Sequence, residues 1–203
     1  LPKQHSLNID ETGWKENGKR HWVWLFCTPR LACFTIRDSR GAQVLKDVLG
    51  DVFGGAITSD FYSAYVSYAT TKQQFCLAHL IRDLKFLTTL PAKTDQAFGE
   101  KLLIYMRRIF TLWHGRSDVA EKKFKPKVTR LKNELRNYIF AQILNKGSDA
   151  RRIQLRMVKH WDSLFRFLNQ PDVFEPTNNA AERDLRLLVR LRRISQGSRA
   201  PSG

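Results

Sequence analysis

Apolar and polar side chains alternate in short runs over the first forty residues, and these runs predict three consecutive β-strands. The predicted strands are Ser6–Asp10, His21–Cys27 and Leu31–Arg37. Asn17-Gly18 lies between the first two strands and favours a tight hairpin turn, because both residue types tolerate positive φ. Pro29-Arg30 indicates a second short turn. The pattern therefore predicts an antiparallel meander.

The pattern then changes to alternating helix and strand. Apolar residues at helical spacing after Gly41 predict a short helix, and Gly54-Gly55 is expected to end that connection. Ala56–Asp60 is typical of a short buried strand, and a strand–helix–strand succession of this length predicts a parallel crossover. A short helix over Tyr62–Tyr68 and a fifth strand over Gln73–Cys76 follow. We therefore predict an α/β fold with a mixed five-stranded sheet.

From Leu77 onward the apolar residues recur every three or four positions, which predicts helices almost throughout. Four such helices are marked by Leu77, Leu80, Leu84 and Leu87; by Leu102, Met106, Ile109, Phe110 and Trp113; by Val128, Leu131, Leu135, Tyr138 and Ile139; and by Ile153, Met157, Trp161, Leu164, Phe165 and Leu168. Pro171 and Pro176 interrupt the pattern before a last helix from about Asn179. A basic run, Lys122–Lys132, fits a solvated helix face and contact with a DNA backbone equally well.

The composition shows that the chain is strongly basic. The chain has 35 Lys and Arg residues against 19 Asp and Glu, a net charge of +16. Such an excess indicates a polyanionic partner, nucleic acid first and an anionic membrane surface second, with a merely soluble basic protein as the alternative. No apolar run approaches the roughly 18 residues of a membrane span. We therefore expect a globular protein with one domain, or one domain with a large insertion.

The cysteines and the chain ends bear on location. Cys27, Cys33 and Cys76 are an odd number with no disulfide framework, which favours a reducing cytoplasm. The first residues lack the basic and apolar segments of a signal peptide. Because the chain lacks an initiator Met and stops abruptly at Gly203, we expect it to be a fragment of a longer protein.

Two aspartates follow candidate neighbouring strands. Asp10 is expected near the end of the first strand and Asp60 at the end of the fourth, so the two carboxylates would meet at one edge of the sheet. A single acidic residue at a strand end is usually a cap or turn former. Two adjacent carboxylates repel each other, and such pairs persist mainly where a cation lies between them.

Glu182 supplies a third carboxylate on the last predicted helix, at the border of an apolar and a basic face. The apolar face comprises Ala181, Leu185, Leu188 and Val189, and the basic face comprises Arg183, Arg186, Arg190 and Arg193. Such a helix can pack on a sheet, direct a carboxylate at its edge and offer guanidinium groups to phosphates. An ordinary surface helix with Glu182 paired to Arg186 explains this pattern equally well.

Three carboxylates in a basic surround suit two-metal phosphoryl transfer. Mg²⁺ prefers oxygen ligands, and a pair of such ions can activate an attacking oxygen and stabilise a leaving one. Water and then a DNA 3′-hydroxyl would serve as nucleophiles. We therefore predict Mg²⁺ or Mn²⁺, with two ions bound.

Several sequence blocks resemble the insertion-sequence-66 family of transposases, occur in the family's order and cover essentially the whole chain. The blocks are Asp10-Glu-Thr-Gly-Trp14, Asn17-Gly-Lys-Arg-His-Trp22, Ser59-Asp-Phe-Tyr-Ser-Ala-Tyr65, Cys76-Leu-Ala-His79 with Arg82, Pro176-Thr-Asn-Asn-Ala-Ala-Glu-Arg183 and Arg193-Ile-Ser-Gln-Gly-Ser198. Each block alone is a weak signal, and the set is highly specific.

The resemblance implies a ribonuclease-H-like catalytic domain with a DDE triad at Asp10, Asp60 and Glu182. It also implies that the helical residues 91–169 are an insertion between a first core segment, 1–90, and a last segment, 170–203, that includes the catalytic helix. Double-stranded DNA, as transposon ends and target, would be the partner of a dimer or larger assembly in the nucleoid. Family members carry N-terminal DNA-binding and zinc-binding segments that have no match here.

Further residues are candidates for roles around the triad. The DNA-binding candidates are Trp14, Arg82, Arg183, Arg186, Arg190 and Arg193, and the possible supporting residues are His79, Asn178 and Asn179. Cys76 and His79 resemble half a zinc site, but no second pair of suitable spacing follows. This favours a structural role, or a helix start that places His79 and Arg82 near the catalytic edge. Glu11 is excluded from the triad because alternation along a strand directs it to the opposite sheet face.

The sequence therefore predicts a DNA transposase that cleaves and transfers DNA strands. A catalytically inactive or fragmentary DNA-binding module is one alternative, and a nuclease of the same fold that hydrolyses strands without joining them is another. Carboxylates at all three triad positions favour an enzyme over the inactive module.

Overall fold

The computed structural model describes residues 1–68 and 70–198, and the chain forms two compact units. The first, the sheet unit, comprises Leu1–Cys76 and the segment from Pro171 onward. The second, the helical unit, is Leu77–Gln170. The helical unit thus interrupts the sheet unit in sequence.

The sheet unit contains a mixed five-stranded sheet, which confirms the predicted α/β class. Its strands are β1 (Ser6–Glu16), β2 (Lys19–Thr28), β3 (Leu31–Arg37), β4 (Phe53–Ser59) and β5 (Thr70–Phe75). They lie in the order β3-β2-β1-β4-β5. The β1–β2 and β2–β3 pairs are antiparallel, whereas β1–β4 and β4–β5 are parallel. Asn17 and Gly18, both with positive φ, form the predicted hairpin turn.

The two faces of the sheet are covered differently. On one face, Ile9 and Trp24 belong to a buried apolar cluster with residues of α1 (Gln43–Leu49) and α2 (Ser63–Ser67). On the other, Leu25 and Cys27 pack against α8 (Asn179–Ser195). Because side chains alternate along a strand, successive β1 residues point to these two different environments.

β1 and β4 both extend beyond their predicted bounds. β1 continues to Glu16, so Asp10 lies inside the strand instead of near its end. Gly54 and Gly55 lie inside β4 instead of ending the preceding connection. A Cβ on Gly55 would lie 2.6 Å from the backbone oxygen of Gln4, so glycine is required there by close approach of the chain, not by a turn.

The helical unit comprises α3 (Leu77–Leu87), α4 (Lys93–His114), α5 (Glu121–Ala141), α6 (Asp149–Lys159) and α7 (Trp161–Asn169). The sequence predicted one helix where α6 and α7 occur, but the backbone breaks at His160. In a continuous helix Phe167 would lie about 80° from the face of Met157, and the break lets both side chains be buried. Within the described part of the chain, no helix is long and apolar enough to span a membrane.

Candidate active site

The sheet register places the first two carboxylates beside each other. The parallel β1–β4 pairs run from Ser6 with Ala56 to Asn8 with Thr58, and the same register continued by two residues pairs Asp10 with Asp60. Asp10 therefore lies just beyond the last residue paired with β4, and Asp60 directly follows that strand. This edge is where the carboxyl ends of the parallel strands meet, a position that commonly holds functional groups in α/β sheets.

Asp10 points to the sheet face that α8 covers. It pairs across the hairpin with Leu25, which packs with Ala181 and Leu185 of α8. Glu182 lies between these two anchors in the first turn of α8, and one of its carboxylate oxygens lies within 4.8 Å of the Cys76 sulfur. The apolar anchors therefore fix the position of Glu182 on the Asp10 face.

Asn178, at the start of α8, ties that helix to the sheet. Its side-chain amide donates to the Ile9 carbonyl at 2.9 Å, and its side-chain oxygen accepts from Asn8 at 2.9 Å. Its backbone N–H donates to the Cys76 sulfur at 3.1 Å, and its carbonyl accepts from the Glu182 N–H. Asn178 is buried, so these bonds replace its contacts with water.

The charges of Asp60 and Glu182 both act on the Asp10 carboxyl. The pKa of Asp10 is raised from 3.8 to about 7, first by burial, then by the charge of Glu11, and further by the charges of Asp60 and Glu182. A hydrogen bond from the Glu11 backbone N–H to Asp10 Oδ1, at 2.9 Å, partly offsets this rise. The site thus concentrates negative charge around a half-buried carboxyl, and a bound cation would relieve the repulsion.

Glu11 does not join this group of carboxylates. Its side chain lies on the opposite sheet face and forms an ion pair with Arg40, 2.5 Å apart. The hydroxyl of Tyr65 also donates to it. Strand alternation predicted this face for Glu11, but neither partner could be predicted from it. The sequence feature that could have revealed these partners is a carboxylate at an otherwise apolar position of a buried strand, because a buried carboxylate requires a partner.

The DNA-binding candidates on α8 are exposed, and one further arginine of this helix was missed. Arg183, Arg186, Arg190 and Arg193 all face solvent. Arg192 instead donates to the Gly13 carbonyl at 2.5 Å and to Thr12 Oγ1 at 3.0 Å. Trp14 donates through Nε1 to Ser198 Oγ at 3.2 Å and borders a groove of about 330 Å³ that Lys15, Arg20 and Arg192 also line.

The remaining candidates divide between the two units. Asn179 is exposed in the first turn of α8 and Cys76 is buried at the end of the sheet unit's first segment. His79 and Arg82 lie on α3, in the helical unit, with Arg82 exposed.

Comparison with known proteins identifies the family. The family model described as Transposase IS66 family matches residues 1–203, the whole chain. Comparisons with curated proteins and with solved structures gave no match. The match supports a transposase role in general and agrees with the resemblance found in the sequence. The chain belongs to the Transposase IS66 family.

Proposed function

We propose that this transposase cleaves DNA strands and joins them to a target at a site built from Asp10, Asp60 and Glu182. The observation that supports it most directly is the sheet register, which, continued by two residues, pairs Asp10 with Asp60 on the face that α8 and its Glu182 cover. We further propose that the sheet unit is a ribonuclease-H-like core and that the helical unit is an insertion within it.

The donor set fits divalent metal ions. Three carboxylates offer oxygen ligands of the kind that Mg²⁺ and Mn²⁺ prefer, and burial increases the electrostatic gain when a cation neutralises them. Asp10, Asp60 and Glu182 would hold the metal, which would lower the pKa of an attacking hydroxyl and stabilise the leaving oxygen. Two backbone donors orient the aspartates for this role: the Glu11 N–H donates to Asp10 Oδ1, and the Tyr62 N–H donates to Asp60 Oδ1 at 2.8 Å.

Double-stranded DNA is the proposed substrate. The four exposed arginines of α8 are on the same helix as Glu182, and guanidinium groups suit contact with phosphates. A net charge of +16 would add long-range attraction to any polyanion. Synapsis of two transposon ends would require a dimer or larger assembly.

The test is a cleavage assay on labelled plasmid and oligonucleotide DNA with Mg²⁺ or Mn²⁺, comparing the purified chain with Asp60→Asn. Removal of one ligand charge should reduce metal-dependent cleavage by at least about a thousandfold, roughly 4 kcal/mol of barrier, and leave salt-sensitive DNA binding intact. Asp172→Asn, at an exposed position of the same unit, is the matched control and should cleave normally. Equal cleavage by wild type and Asp60→Asn would refute the site.

A second assay separates strand joining from hydrolysis. The chain is supplied with a transposon end that already carries a free 3′-hydroxyl, together with target DNA and Mg²⁺. Joined products support a transposase reaction, whereas cleavage of the target without joining would identify a nuclease of the same fold. Equal DNA binding by wild type and Asp60→Asn with no cleavage by either would identify a binding module.

A further inference from the structure

A buried carboxylate lies directly behind the proposed catalytic edge. The Glu11 side chain is 1% exposed and both of its oxygens are occupied: Oε1 accepts from Arg40 Nε at 2.7 Å, and Oε2 accepts from the Tyr65 hydroxyl. A buried carboxylate is stable only when paired and hydrogen-bonded, so this cluster fixes the Glu11 side chain.

Glu11 transmits that restraint to Asp10. The two are adjacent in β1, and the Glu11 N–H donates to Asp10 Oδ1 at 2.9 Å. Because the Glu11 side chain is held from behind, the donor that orients this Asp10 oxygen is held as well. A tilt of the Glu11 peptide would turn the Asp10 carboxylate away from its position.

Arg40 also restrains the segment that follows Asp60. Its guanidinium carbon lies 3.9 Å from the ring centroid of Tyr62, a cation–π contact. The Tyr62 backbone N–H donates to Asp60 Oδ1 at 2.8 Å. One side chain therefore contacts the neighbours of both aspartates, although it lies in the connection between β3 and α1.

The cluster itself is anchored in the core. Trp24 Nε1 donates to the Ser39 carbonyl at 3.1 Å, which holds the backbone next to Arg40. The Trp24 ring also meets Tyr65 edge-on, with centroids 5.9 Å apart. Arg40 further lies 4.6 Å from the centroid of Trp22. A charged side chain held on two rings and one carboxylate has little rotational freedom left.

We propose that Arg40 is a positioning residue which, through Glu11 and Tyr62, fixes the relative orientation of Asp10 and Asp60 for metal binding. This inference rests on the proposed function, since it concerns the same carboxylates. It assigns the Asp-Glu pair at the centre of β1 two separate tasks: one carboxylate for the metal, the other for the geometry of the first.

The experiment measures Mn²⁺ affinity of the purified chain, by electron paramagnetic resonance of free Mn²⁺, at a temperature where thermal melting shows each variant folded. Arg40→Gln should weaken Mn²⁺ binding about 10- to 100-fold, the range found when groups that orient metal ligands are removed. Arg40→Lys should weaken it less, because an ammonium group keeps the charge opposite Glu11 but loses the planar contact with Tyr62. Arg30→Gln, at an exposed arginine in the β2–β3 turn, is the matched control.

A double-mutant cycle tests the route through Glu11. If Arg40 acts through Glu11, the losses of Mn²⁺ affinity in Arg40→Gln and Glu11→Gln should not add in the double variant. Additive losses would contradict that route. If Arg40→Gln does not fold, Arg40→Lys decides the comparison.

Asp60→Asn in the same assay distinguishes a failure of the positioning role of Arg40 from a failure of the proposed metal site. If Asp60→Asn loses Mn²⁺ while folded Arg40 variants bind it as tightly as wild type, the positioning role is wrong and the proposed site stands. If wild type binds Mn²⁺ no better than Asp60→Asn, the proposed site is wrong and the positioning role falls with it.

Discussion

At the scale of single residues, the raised pKa of Asp10 has a consequence for stability. Its pKa of about 7 means that, without a cation, folding opposes its ionisation. Below pH 3.8 the carboxyl is protonated in both folded and unfolded chains and costs no stability. As the pH rises towards 7, the unfolded chain ionises first, so the folded state loses stability over that window.

We expect Asp10→Asn to abolish this loss in metal-free protein. Relative to the variant, wild type should lose at most about 1.4 kcal/mol for each pH unit between pH 4 and 7. The measurement is urea unfolding in the presence of a chelator at several pH values. Asp172→Asn controls for the general loss of one charge, and saturating Mg²⁺ at pH 8 should restore wild-type stability. A difference in the free energy of unfolding between wild type and Asp10→Asn that does not change with pH would contradict the raised pKa of Asp10.

At the scale of elements, α8 depends on its first residues for its placement. Apolar contacts of Ala181 and Leu185 hold the helix against the sheet, and Asn178 holds its start. These two kinds of contact differ in role: apolar packing allows small sliding movements, whereas the hydrogen bonds of Asn178 fix the position along the strand. Asn178 therefore adds a polar restraint on the position of Glu182 to the apolar one.

We expect Asn178→Ala to destabilise the protein by about 1–3 kcal/mol, because the buried Ile9 carbonyl and Asn8 amide lose their partner. It should also weaken Mn²⁺ binding by the folded protein, since the helix that carries Glu182 is no longer anchored. Asn179→Ala, the exposed neighbour, is the control and should have little effect. Unchanged Mn²⁺ affinity in folded Asn178→Ala would show that Asn178 serves stability alone.

The sequence predicted most elements because their signals are local. Alternation and the Asn17-Gly18 turn indicate the meander, and period-3.6 spacing indicates the helices. It failed where the cause was distant: Gly55 is required by the approach of Gln4, and the extension of β1 past Asp10 depends on its pairing with β2. The partners of Glu11 were missed for the same reason, because Arg40 and Tyr65 meet it only in the folded sheet.

At the scale of the whole molecule, net charge governs the approach to DNA, and position on the surface decides which charges make contact. Under the proposed function, the four exposed arginines on α8 would contribute to both. Binding to phosphates releases counterions, so each contact adds to the salt dependence of affinity. Charges that act only at long range do not each add a fixed amount to this salt dependence.

We expect the triple variant Arg186→Gln, Arg190→Gln, Arg193→Gln to reduce the slope of log affinity against log salt by about 2.7, or 0.9 for each lost phosphate contact. The matched control replaces three exposed basic residues elsewhere in the sheet unit with glutamine, namely Lys3, Arg30 and Lys46. Both variants lose three charges, but only the first should show the reduced slope. Equal slopes in the two variants would mean that α8 does not contact the DNA backbone.

The interruption of the sheet unit by the helical unit also has a consequence during biosynthesis. The hydrogen bond between Asn8 and Asn178 joins residues 170 positions apart, and Glu182 follows it. A ribosome adding about 5–20 residues per second needs several seconds to pass through Leu77–Gln170, with both aspartates already made and Glu182 still to come. Under the proposed function, a chain that terminates before Glu182 therefore lacks a ligand for the metal, and DNA-cutting ability arises only after that residue has been made.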